Sequence, residues 1–147
     1  MLKEALIEIF ERELLKLKEE INLYNDESNL WKTEKHISNS AGNLCLHLIG
    51  NLNHFIGAIV GNTGYVRERD LEFSNKNIPV SAMNQQIDAL IPIVVNTLSK
   101  MNESDFEADF PLEKHGKIVR TDYMLLHLLT HFNYHLGQIN YHRRLLE

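Results

Sequence analysis

The sequence predicts an all-α fold, a four-helix bundle with long middle connections. Three observations carry this. Apolar residues recur at spacings of three and four in four separate stretches, the pattern of helices with one buried face. The 147 residues include only seven glycines and three prolines, so few positions favour a break. Turn-forming residues separate the stretches: Asn25–Asn29, Gly61–Gly64, and Pro111 with Gly116. A chain of this length is expected to form one domain, residues 1–147, around one core.

The first helix is marked by Leu6, Ile9, Phe10, Leu14, Leu17, Ile21 and Tyr24, with glutamates and lysines on its other face. Asn25-Asp26-Glu27-Ser28-Asn29 ends it. Trp31, the only tryptophan, is expected to plug the core under the connection. Asn39-Ser40 is a cap signal for a second helix carrying Leu44, Leu48, Leu52, Phe55 and Ile59 on one side. Gly50 and Gly57 share a face of that helix and would let another helix approach closely. Tyr65 to Pro79 is polar and reads as an irregular loop.

Ser81 is the expected N-cap of a third helix running to about Lys100. Met83, Ile87, Leu90, Ile91, Val94, Val95, Leu98 and Met101 form its apolar face, and Pro92 should kink it. Between Asn102 and Arg120 the pattern breaks again. Phe106, Phe110 and Leu112 are expected to tuck under this stretch, and Lys114-His115-Gly116-Lys117 reads as a tight turn. The fourth helix closes the chain. Thr121 is its expected N-cap, with Asp122 in the first turn and Arg143 and Arg144 in the last, as the helix dipole prefers. Met124, Leu128, Ile139 and Leu146 mark its stripe.

Composition excludes several function classes. The formal net charge is −5, and the fifteen basic residues form no run, which argues against a nucleic-acid partner. The single cysteine, Cys45, rules out an intrachain disulfide and a CxxC metal knuckle. No apolar run is expected to span a membrane, and the acidic N-terminal stretch does not read as a signal peptide, so a cytoplasmic location is expected.

Half of the eight histidines lie in the fourth helix. His131 and His135 are four residues apart and share a face, with His127 one turn earlier. Two imidazoles so placed can grip one metal ion. His47, mid-helix and flanked by leucines and isoleucine, is the best candidate for a third ligand. The same spacing also suits core histidines with hydrogen-bond partners, and burying them without partners is costly. A site of three protein ligands leaves a position for water or substrate, whereas a structural site is usually closed by a fourth.

The run His131-Phe132-Asn133-Tyr134-His135-Leu136-Gly137-Gln138 resembles the C-terminal motif of the DinB/YfiT family, and Leu46-His47-Leu48-Ile49-Gly50-Asn51 resembles its first histidine segment. Chain length and helix order extend the resemblance to nearly the whole chain. It implies a four-helix bundle, commonly a homodimer, in which His47, His131 and His135 hold a divalent metal, zinc or nickel. His127 is the alternative to one of the last two. Asn51, Tyr134 and Gln138 are implied as neighbours of the ligands or contacts to substrate. The implied chemistry is that of a metal-dependent thiol transferase or hydrolase-like enzyme. It would act on a small electrophilic molecule, with a low-molecular-weight thiol as cofactor. The alternative is a non-enzymatic metal-binding stress-response protein. Protons should compete with a metal in the ordinary histidine range, near ~6.5.

Overall fold

The computed structural model describes residues 1–147 and is helical throughout, with no strand beyond two isolated bridges. Helix α1 covers Leu2–Asn22, and α2 covers Ala41–Leu52. A π-helix over Asn53–Val60 continues α2. Two short helices follow the long ones: α3, Arg69–Ser74, precedes α4, Val80–Lys100, and α5, Glu103–Glu107, follows it. The chain ends in α6, Thr121–Leu146. The long helices form a closed ring of neighbours. α1 packs on α4 and α6, and α2 packs on the same two from the other side. One continuous core fills the space between them, with Phe10, Leu17, Leu48, Ile56, Leu90, Phe132 and Ile139 fully enclosed.

The expected breaks are present, but their edges differ. Ser40 caps α2 as anticipated, accepting a hydrogen bond from the Asn43 amide at 3.2 Å. Thr121 is not the cap of α6. Arg120 holds that position, and Thr121 is the first helical residue, its hydroxyl donating to the Ala108 carbonyl at 2.9 Å. Nor does Ser81 cap α4, which begins one residue earlier behind Pro79. Proline in that place suits a helix start, because an amide hydrogen there has no intrahelical partner. Helix α4 continues through Pro92 to Lys100.

The two connections read as irregular each contain a short helix, α3 and α5. Phe106 and Phe110 are buried as expected, while Leu112 stays outside, 39% exposed. The turn at Lys114–Lys117 is a two-residue hairpin with His115 and Gly116 both at positive φ, as mirror-image hairpin turns require.

Along the second helical segment Leu48, Leu52 and Ile56, four residues apart, are fully enclosed, while Phe55 and Ile59, expected on the same stripe, are half-buried. Ala41–Val60 is long and apolar enough to cross a membrane by length and composition alone, contrary to the reading of the bare sequence. However, 67% of its most apolar window is buried inside the chain.

The glycines are filled from within. A Cβ on Gly50 would lie 2.0 Å from the Glu72 carboxylate, and one on Gly57 would meet Ile93 of α4 at 3.3 Å. Their shared face therefore packs against this chain's own elements. Trp31 lies against Gly42, where a Cβ would sit 2.7 Å from its ring.

His142 ties the first connection to α6. It is buried, accepts from the Tyr24 hydroxyl at 2.7 Å through Nδ1, and donates through Nε2 to the Lys32 carbonyl at 2.8 Å. His142→Phe keeps the ring volume and removes both bonds. Urea unfolding should show a loss of about 1–3 kcal/mol, because the Lys32 carbonyl loses its donor and the Tyr24 hydroxyl keeps only the longer bond to the Ile139 carbonyl at 3.3 Å.

Candidate metal centre

The site lies where α2 meets α6. Helix α2 is buried along its whole length, and its side facing α3 carries Asn43, His47 and Gly50 at i, i+4 and i+7. Each has a task there. The Asn43 amide nitrogen donates to the carbonyls of Glu72 and Asn75 at 2.9 and 2.8 Å, fastening α3. Gly50 leaves the space that the Glu72 carboxylate fills. His47 donates from Nδ1 to Glu72 Oε1 at 2.9 Å. Arg67 closes this arrangement with Nε on Oε2 at 2.9 Å and a terminal nitrogen on Oε1 at 3.0 Å.

This network fixes the state of two groups. Burial alone pushes the Glu72 carboxyl up, but the hydrogen bonds from His47 and Arg67 outweigh it, and its pKa lies below the ordinary value. A carboxylate facing Nδ1 places the His47 proton there, so Nε2 presents a lone pair away from α3. Phe73 packs against the His47 ring at 4.9 Å between centroids, limiting its rotation.

On α6 the fully enclosed positions are Leu125, Phe132 and Ile139, and His131 and His135 flank that stripe half-buried. Flanking suffices to aim them at α2. His131 Nε2 is 3.2 Å from His47 Nε2, and ligand nitrogens of His47, His131 and His135 all lie within 4.8 Å of one another. Gln138, one turn past His135, accepts from His135 Nδ1 at 2.7 Å and leaves its Nε2 free. At least two lone pairs thus converge on one point. The three residues are close enough to hold one metal ion.

The other candidates are placed differently. His127 lies outside the cluster, and burial together with nearby Lys114 and His115 lowers its pKa. Tyr134 is 67% exposed and meets only the edge of His135, at 5.4 Å. Asn51 is buried with its side-chain oxygen unpartnered, and His131 Nδ1 is the second such atom. Cys45 is fully buried, and desolvation pushes its thiol up to about 12, so it offers no thiolate. Glu72 and Arg67 were not singled out in the sequence, where they are two of many charges in a polar connection. The one readable signal was the run of Asn43, His47 and Gly50 along an otherwise apolar helix.

Burial, then the neighbouring His135 and His47, lowers the His131 pKa to about 4, and burial lowers His135 as well. Proton competition at His131 therefore moves below the ordinary range near ~6.5. For the metal-free protein the sign follows directly. Between about 4 and ~6.5 the unfolded chain binds a proton that the folded chain does not. Stability is complete above that window and falls as the pH drops through it. The urea midpoint should decrease between about pH 7 and pH 5, and by less in His131→Gln, which has no ring to titrate.

No curated protein matches the chain. The family described as "Protein of unknown function (DUF1572)" matches residues 3–147, nearly its full length, and the chain belongs to that family.

Proposed function

We propose that the chain is a divalent-metal protein of the DinB/YfiT type, a four-helix bundle in which His47, His131 and His135 hold one ion. We further propose that it is a metal-dependent enzyme of the thiol-transferase type, acting on a small electrophilic molecule. The observation that carries this is the convergence of three imidazoles from two helices, with two of their free nitrogens set by hydrogen bonds on the opposite side of each ring.

The residues fit an ion. Ligand nitrogens at ~2.0–2.1 Å from a tetrahedral metal are about 3.4 Å apart. The His47–His131 pair is at 3.2 Å. Glu72 behind His47 and Gln138 behind His135 supply the outer hydrogen bonds that ligating histidines use to hold tautomer and orientation. Zinc and nickel both accept imidazole ligands, and three protein donors leave a position for an external ligand. A bound divalent ion would lower the pKa of a thiol or water at that position. Because the chain's own thiol is buried and protonated, thiol chemistry needs an external low-molecular-weight thiol. His47, His131 and His135 then orient that ligand, Glu72 and Arg67 keep His47 in place, and the helices restrict water from one side.

Untagged protein purified without chelator should carry about one divalent ion per chain by elemental analysis. His131→Ala should lose the ion with helicity retained, while His127→Ala should keep it. Gly50→Ala alters no ligand but displaces Glu72, and its metal affinity should fall by about 10–100-fold, the usual cost of losing such support. Retention of a stoichiometric ion in His131→Ala would end the metal assignment. A loaded protein that binds no external thiol would point instead to the non-enzymatic metal-binding role. Homodimerisation rests on the DinB/YfiT resemblance, since Gly50 and Gly57 face inward. Sedimentation velocity tests it, and a single monomeric species at micromolar concentration would argue against it.

A further inference from the structure

We infer that the cavity beside His135 is the binding site for a small, uncharged and largely apolar molecule with one polar end. The inference deepens the metal reading and rests on it for the ligand's purpose, but binding itself does not require the ion.

The connection after Trp31 folds over the C-terminal half of α6 and the first turns of α2. Between them it leaves a cavity of about 330 Å³. Taking ~30 Å³ for a water-sized group, this holds about ten heavy atoms. Ile37, Leu44, Tyr141 and Leu145 supply its apolar walls, and His135 and Gln138 border it. His135 therefore belongs both to the histidine cluster and to the cavity wall, and a molecule seated here lies beside the cluster.

The lining decides the chemistry of the occupant. It contains no aspartate, glutamate, lysine or arginine. The nearby Arg144 guanidinium is engaged over the Tyr141 ring at 5.2 Å and with Asn140. A charged ligand group buried in the cavity would lose its water with no free counter-charge among the lining residues. Apolar surface, by contrast, is waiting to be covered: Ile37 is 39% exposed, Tyr141 63% and Leu145 72%. Polar contacts are few. Gln138 Oε1 is occupied by His135, and both nitrogens of His142 are occupied by Tyr24 and Lys32. Ser38, Asn39 and His36 remain for one polar end. A larger cavity, about 560 Å³, lies near Ile93 and Thr97, but it is lined by Lys100, Asp105 and Asp109 and by none of the three clustered histidines.

The test titrates 2-phenylethanol into metal-free protein and follows methyl resonances by NMR. Shifts should concentrate on Ile37, Leu44 and Leu145. The surface changes Ile37→Asp and Leu145→Asp should each weaken binding by about tenfold or more, by placing an unpaired charge in the wall. They should leave metal uptake unchanged. Phenylacetate and phenethylammonium, of similar size but charged, should bind at least about tenfold more weakly. Absence of shifts up to the solubility limit, shifts centred on Ile93, or equal binding of either charged analogue would each overturn the inference. Failure to take up metal, with 2-phenylethanol binding intact, would overturn the metal reading and leave this one standing.

Discussion

The histidine cluster depends on a buried carboxylate. Glu72 is 7% exposed, and an ion so removed from water persists only with partners on its oxygens. Arg67 grips both oxygens and His47 occupies one of them again from the other side. Removing one partner of such a buried pair typically costs about 3–5 kcal/mol, so the arrangement behaves as a unit. It also explains features that look unrelated. Gly50 is small because the carboxylate stands where a side chain would be. Asn43 is buried because its amide holds the carbonyls of α3 that carry Glu72 into place. α2 therefore supplies a histidine to the cluster together with its scaffold, while α6 supplies two more from adjacent turns.

The two sides of the cluster differ in kind. The His47 side is rigid, enclosed by Phe73, Glu72 and Arg67. The His135 side borders a cavity, and the hydrogen bond that orients His135 comes from Gln138 on its own helix. Chemistry at a site of three donors needs this asymmetry: one face holds geometry while the other admits a reactant.

The helices were legible because burying one face of a helix imposes a 3.6-residue period that the order of apolar residues displays. The α6 histidines were legible for the same reason, since spacing of four places two rings together whatever surrounds them. Three kinds of feature were not. Helix starts at Thr121 and Ser81 were misplaced because a favourable cap residue one or two positions inside the helix looks the same as one at its end; Thr121 instead bonds the Ala108 carbonyl. The burial of Ile56 was missed because residues three and four past Leu52 both fit a helical stripe, and spacing alone does not choose between Phe55 and Ile56. Glu72 and Arg67 were hidden because long-range burial, not local pattern, distinguishes them from their neighbours in the connection. Asn43, His47 and Gly50 together held the clue: three polar or small residues on one side of a helix that is otherwise mostly apolar need a polar neighbour.

The wide turn at Asn53–Val60 has a consequence for how this chain tolerates change. Upstream of it, α2 meets α3 through Asn43, His47 and Gly50 while packing on α6 and α4; downstream, the same continuous segment packs on α4, with Gly57 against Ile93. Substitutions that retune packing against Ile93 of α4 act within this wide-wound stretch, while His47 is held separately by Glu72 on α3.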